Sequence, residues 1–289
     1  MSNIEKDDVT GMDTTGHEWD GIKELNTPLP RWWLWTFYIC IVWAVGYMIA
    51  YPAIPLVSDA TKGLLGWSSR NDVAVAMSEA HQAQSGMLDK IASLSVQDIS
   101  ADEDLRTFAV AGGKSAFAVN CSQCHGSGAA GGPGYPNLND DDWIWGGDLD
   151  AIYTTISHGI RHEPDEDTRV SDMPAFGKDE LLEKAQIEDV AEHVLSLSKL
   201  DHNAEAAARG VELFAENCAS CHGDDGGGDR DLGAPALNDA IWLYAQNRAD
   251  IVAQINGPKH GVMPAWADKL GDVTIKKLAV YVHALGGGE

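Results

Sequence analysis

The chain has 289 residues, room for two or three small domains rather than one, and its 20 Lys+Arg stand against 44 Asp+Glu, a formal net charge of -24. An excess of that sign excludes charge-driven binding to nucleic acid or to an anionic membrane surface, so a partner recruited by charge must be basic. The excess is greatest in the middle third, where residues 101–200 hold 7 positive and 19 negative side chains.

Residues 1–31 form an acidic leader. From Trp32 to Val57, 26 residues pass without Asp, Glu, Lys, Arg or His. At about 1.5 Å per residue, the helix this stretch can form before Pro52 spans a hydrocarbon core of roughly 30 Å. Pro52 and Pro55 end it, and Trp32, Trp33, Trp35 and Tyr51 fit interfacial aromatic belts. The length of the run and its acidic leader argue against a secretory signal. Residues 32–57 are expected to form one transmembrane anchor in contact with lipid, with Cys40 as a small apolar packing residue. Residues 58–107 read as a connector or stalk with an apolar stripe (Val73, Met77, Ala80, Met87, Ile91, Leu94). Ser100 and Glu103 stand at capping-box spacing before the next helix.

The rest of the chain is a duplication. "GKSAFAVNCSQCHG" from Gly113 aligns with "GVELFAENCASCHG" from Gly210, "PNLNDDDW" from Pro136 with "PALNDAIW" from Pro235, and "MPAF" from Met173 with "MPAW" from Met263. Each copy closes on a helical stretch, "IEDVAEHVLSL" and "IKKLAVYVHAL". The pattern predicts an all-α fold with two tandem small domains, 108–200 and 204–289. Both carry long Gly-rich loops and need a staple or a large cofactor to compensate for a small core.

Cys121, Cys124 and His125, and again Cys218, Cys221 and His222, have the Cys-x-x-Cys-His spacing of covalent haem c attachment. Two thiols on one helical turn add to the porphyrin vinyl groups and the next residue presents its imidazole to the iron. A redox dithiol has no need of that His, and a zinc site would want two Cys pairs together. The chain is therefore expected to hold two haem c groups. Beyond residue 100 it has two methionines, Met173 and Met263, at matching repeat positions, and a thioether is a fitting sixth ligand for an electron-transfer haem. His158, His162 and His260 are rival ligands, while His193, His202 and His283 read as helix-surface residues. With His and Met on the two faces the iron has no open position, and no catalytic triad, P-loop or carboxylate pair is recognisable, so the units pass electrons rather than transform a substrate. Haem c is attached outside the cytoplasmic membrane of bacteria, which puts the repeats in the periplasm and the N-terminus in the cytoplasm.

Two haem c units behind one anchor, with "HEWDGIKELNTPLPRWWLWTFY" (His17 to Tyr38) and "YPAIP" before and after its core, resemble the dihaem subunit of cbb3-type cytochrome c oxidases. The resemblance covers nearly the whole chain. It implies class I cytochrome c domains and a bacterial inner-membrane location. It also implies electron flow from a donor cytochrome c to a monohaem cytochrome c subunit and on to the haem–copper catalytic subunit. Carried over, Cys121, Cys124, Cys218 and Cys221 attach the haems, and the axial pairs are His125 with Met173 and His222 with Met263. Competing expectations are a dihaem anchor of a periplasmic dehydrogenase or other respiratory complex, a haem peroxidase or gas sensor, and an assembly subunit. The leader, the paired Met ligands and the complete motifs argue against these in turn. The acidic run Asp140–Asp142 is left without a role.

Overall fold

In the leader, strands β1 (Thr14–Trp19) and β2 (Ile22–Leu25) pair antiparallel, Thr14 opposite Leu25 and Trp19 opposite Ile22. This computed structural model describes residues 4–245 and 247–288. It divides into two units, 1–83 and 84–289.

Helix α1 (Arg31–Ala50) dominates the first unit. It has no buried residue, and among the described residues it is the one helix long and apolar enough to cross a membrane. Tyr51 is extended ahead of Pro52 and ends it. Its last carbonyls are satisfied by the returning chain: the N–H groups of Leu64 and Leu65 donate to the oxygens of Ile49 (2.9 Å) and Ala50 (3.0 Å). The return needs Gly63 at φ +69°, where a Cβ would stand 2.4 Å from the Ala50 oxygen.

Helix α2 (Ser69–Ser93) leads into the second unit, whose helices are α3 (Val96–Ala101), α4 (Glu103–Asn120), α5 (Ser122–His125), α6 (Leu149–His158), α7 (Lys184–Leu197), α8 (Ala204–Asn217), α9 (Ala219–His222), α10 (Arg248–Asn256), α11 (Ala267–Leu270) and α12 (Asp272–His283). Asp102 caps α4, its carboxylate accepting from the N–H groups of Asp104 and Leu105 at 3.0 Å. Ser100, expected in that role, lies inside α3, which Ser95 caps. The segment expected to be a plain stalk is partly core. Ile91 and Ile99 are fully buried with Leu105, Ala109 and Val280, and the Lys276 ammonium donates to the oxygens of Ile91 and Ala92 at the end of α2.

The shared residues of the two repeats have a direct physical reading. Gly113 of α4 lies against α12 so closely that a Cβ would be 2.2 Å from the Lys277 oxygen, and Gly210 of α8 lies against α7 with 2.2 Å to the Asp189 oxygen. One turn on, Phe117 and Phe214 are each 2 % exposed and fill the two cores. Asn120 and Asn217 donate to the carbonyls four residues back, both at 2.9 Å. The two helix crossings are thus equivalent, but each joins one repeat to the other. Helix α4 of the first repeat packs on α12 of the second, and α7 of the first on α8 of the second. One core holds Phe117, Ile152 and Ile156 with Ile275, Leu278 and Val282. The other holds Phe176, Ile187, Val190 and Val194 with Phe214, Ile251 and Ile255. The packed halves therefore do not coincide with the sequence repeats.

Glu192 ties the second half together. It is 6 % exposed, it accepts from Arg248 Nε at 2.5 Å and from the Asn203 N–H at 2.7 Å, and although burial would raise its pKa these partners hold it below the ordinary value. A depressed carboxylate stabilises above its unfolded pKa and loses that contribution as pH falls through the folded one. Arg248→Ala is thus expected to cost about 1–3 kcal/mol in denaturant melts at pH 7 and distinctly less at pH 3.5. Gly113→Ala and Gly210→Ala, which force a methyl into a helix backbone, are each expected to cost about 1–3 kcal/mol or more by the same melts.

Candidate functional site

Each Cys-x-x-Cys-His motif forms a single helical turn. The N–H groups of Cys124 and His125 donate to the Cys121 oxygen at 3.1 and 3.0 Å, and those of Cys221 and His222 to the Cys218 oxygen at 3.1 and 2.9 Å. The turn puts both sulfurs and the imidazole at one end of a long helix. All five cysteines are free thiols. Burial, then the neighbouring thiol, pushes Cys121 and Cys218 up to about 11, so neither is a thiolate at neutral pH, as a low-pKa redox dithiol would require.

The histidines are held from two sides by the Gly-rich loops. The N–H groups of Gly131 and Gly228, six residues beyond each His, donate to the oxygens of His125 and His222, both at 2.8 Å. The loops then turn so tightly that a Cβ on Gly131 would meet the Tyr135 oxygen at 2.4 Å and one on Gly228 the Ala234 oxygen at 2.6 Å. This brings the next carbonyl onto the ring: His125 Nδ1 stands 3.2 Å from the Pro136 oxygen, His222 Nδ1 2.9 Å from the Pro235 oxygen. An Nδ1–H donated to a carbonyl leaves Nε2 with its lone pair for a metal and fixes the ring plane. Burial lowers both imidazole pKa values against these bonds, favouring the neutral, ligating form. Pro136, Pro235, Gly131 and Gly228 thus belong to the site. The matched prolines were visible in the repeat, but nothing in the spacing told what they hold.

The methionines separate from the histidines of their own repeats. Met263 exchanges backbone hydrogen bonds with Ile160 (2.9 and 3.0 Å) just beyond α6 and packs against the core that Cys121 adjoins. Met173 packs against the core that holds Cys218. The packing thus sets each methionine against the core that adjoins the other repeat's haem-attachment cysteine. Two of the rival histidine rings face carboxylates: His158 Nδ1 lies 3.2 Å from both Asp165 oxygens, and His260 Nδ1 3.7 Å from Asp172. At His162 the main-chain N–H donates to Thr168 Oγ1 at 3.0 Å. His193 is half-buried: its ring lies edge-on to Phe214 at 5.1 Å and its Nδ1 is buried without a hydrogen-bond partner. His202 Nδ1 contacts the Leu200 oxygen at 2.7 Å.

The residues fit a covalently held haem. Each half presents two thiols, an imidazole anchored by a carbonyl, and a thioether packed against the adjoining apolar core. The buried Nε1–H of Trp242 has no protein partner, whereas its repeat counterpart Trp143 donates to the Gly287 oxygen. A donor left open in this way suits a polar edge of a large cofactor.

Comparison with known proteins gives the same answer. A sequence model described as the N-terminal domain of cytochrome oxidase-cbb3, FixP, matches residues 11–58, and one described as cytochrome c oxidase, cbb3-type, subunit III, matches 108–194 and again 205–282. Cbb3-type cytochrome c oxidase subunit FixPc of Rhizobium leguminosarum bv. viciae is 56 % identical over all of both chains. Subunit FixP of Rhizobium meliloti is 56 % identical over 98 % of this chain and 97 % of its own. Subunit CcoP of Cereibacter sphaeroides is 52 % identical over 96 % and 95 %. With an apolar anchor helix, a duplicated haem-attachment frame and full-length likeness to these proteins, the chain belongs to the haem c-binding subunit III family of cbb3-type cytochrome c oxidases and forms part of such a complex.

Proposed function

We propose that the chain carries two haem c groups and relays electrons, one at a time, from a donor cytochrome c to a monohaem cytochrome c subunit and thence to the haem–copper subunit that reduces oxygen. The observation that carries this is the doubled site: two equivalent thiol pairs and two imidazoles tethered by the same Gly and Pro carbonyl contacts. Haem c supplies reversible Fe(III)/Fe(II) exchange. The protein's part is to attach, orient and enclose. Cys121 and Cys124 bind the first haem and Cys218 and Cys221 the second. His125 and Met263 would hold the first haem iron, and His222 and Met173 the second, the crossed assignment that the packing favours. An iron held by a histidine and a methionine would exchange electrons rather than bind oxygen. Helix α1 crosses the inner membrane once, with the leader in the cytoplasm and the haem halves in the periplasm.

Four measurements test this. The alkaline pyridine spectrum of the purified chain should give two haem c per polypeptide, and Cys218→Ala with Cys221→Ala should leave one. In that single-haem background, Met263→Leu should abolish the near-red sulfur-to-iron band of the oxidised protein and Met173→Leu should leave it; the reverse result restores the within-repeat pairing. The acidic first repeat is the landing face for a basic donor, so exchanging Asp and Glu there for Asn and Gln should slow turnover with reduced donor several-fold at low ionic strength and little at high. Copper, haem b and oxygen uptake should copurify with the chain from its membranes; haem c alone would assign it to another respiratory complex.

A further inference from the structure

Between the two repeats lies a cavity of about 270 Å³, walled by Pro136, Asp140, Asp142 and Ile144 of the first and by Pro235 and Trp242 of the second. Pro136 and Pro235 are the residues whose carbonyls hold His125 and His222, so the cavity adjoins both candidate haem sites through one residue each. Asp142 lines it half-buried. Its neighbour Asp140 is well provided with donors, accepting from Asn137 Nδ2 at 2.8 Å and from the Asp142 N–H at 3.3 Å. Asp239, at the repeat position equivalent to Asp140, is close enough to act on Asp142 through its charge. The cation in the neighbourhood, Arg230, reaches the main-chain oxygen of Asp141 at 3.4 Å. Tyr135 completes the titratable lining. Burial, then the charges of Asp239 and Asp140, push Asp142 up to about 6, with Arg230 opposing least. The second repeat has Ile241 where the first has Asp142, and both line the cavity.

Resting on the reading that each half holds a haem, we infer that Asp142 takes up a proton when an adjoining haem iron is reduced and releases it on reoxidation, linking electron passage through this chain to pH. The electron arrives from the donor and lowers the iron centre's charge by one. The proton comes from water and converts the carboxylate to the carboxylic acid; no bond to the haem forms or breaks. The direction follows from electrostatics. A less positive iron across a poorly solvated gap stabilises the carboxylate less, and Asp140 and Asp239 already repel it, so reduction raises its affinity for a proton. The same coupling, seen from the iron, makes reduction easier once Asp142 is neutral.

The test is a spectroelectrochemical titration of the full chain between pH 5 and 8, following the haem c absorption. A midpoint potential should be level at the acid end and fall as pH rises through a window that opens near pH 6. Asp142→Asn should abolish the fall and hold the potential at its acid-side value, whereas Asp142→Glu should keep the fall. Asp239→Asn, which leaves Asp142 in place but removes a like charge, should move the window to lower pH. A wild-type potential level across this range, or an Asp142→Asn variant with the wild-type slope, overturns the inference. Either result with two haems per chain leaves the electron-relay reading intact, while a chain without haem c overturns that reading first.

Discussion

Everything in residues 84–289 depends on two helix crossings at glycine. Where α4 meets α12 and α8 meets α7, the absence of a Cβ at Gly113 and Gly210 lets one backbone touch the other, with gaps that no side chain could share. That contact sets the angle of the long helix whose last turn carries the thiols and the imidazole. It also places a phenylalanine one turn later as the floor of each core, where Phe117 and Phe214 are almost fully enclosed. Cofactor geometry is thus inherited from a steric fact eight residues upstream of the first thiol and twelve upstream of the imidazole.

The partner helices are exchanged between repeats, and a local reason for this is visible. Six residues, 198–203, separate α7 from α8. A connection that short favours antiparallel neighbours, so α7 folds back on the helix that follows it. The helix left without a partner, α4, then meets the last one, α12. The exchange makes the two repeats interdependent: neither core can close from one repeat alone. It also brings the loops of the two repeats against each other, with Trp145 over Gly233 and Tyr244 over Gly134, again at equivalent positions. Arg169, 5.4 Å over the Trp145 ring and donating to its carbonyl at 2.7 Å, secures one side of that seam.

The membrane helix, the duplication, the haem motifs and the family were all legible in the sequence, because each leaves a local mark: an uncharged run, a repeated frame, a fixed spacing. The exchange was not legible, and the reason is specific. Ile187, Val190, Ala191 and Val194 of α7 have the same spacing and nearly the same shapes as Ile275, Leu278, Ala279 and Val282 of α12, and all eight are buried. Faces so alike suit either glycine helix, so the pattern names a packing surface without naming its partner. The tethering carbonyls escaped for another reason. A main-chain oxygen leaves no residue-type signature; only the proline beside the turn is visible, and a proline in a loop has many uses. The cap of α4 was misplaced by two residues because Ser100 fits a motif that Asp102, nearer the helix, fulfils by itself.

What distinguishes the halves is as informative as what they share. A duplicated pair with identical surroundings would give two sites of equal affinity for an electron. The differences are concentrated around the sites rather than inside them. The first repeat carries the longer loop between α6 and Met173, where Arg161 binds Asp172 and the oxygens of Ser171 and Gly261 and so joins that loop to the segment before Met263. It also carries Asp142 where the second has Ile241. Thiols, imidazole and thioether are common to both, so under the proposed relay any difference in potential between two haems would come from fixed charge, burial and hydrogen bonding around them. In this chain the fixed charge is lopsided toward the first repeat, and a carboxylate near a haem iron favours the ferric state. The acidity that would attract a basic donor and the acidity that would lower a potential therefore lie in the same repeat.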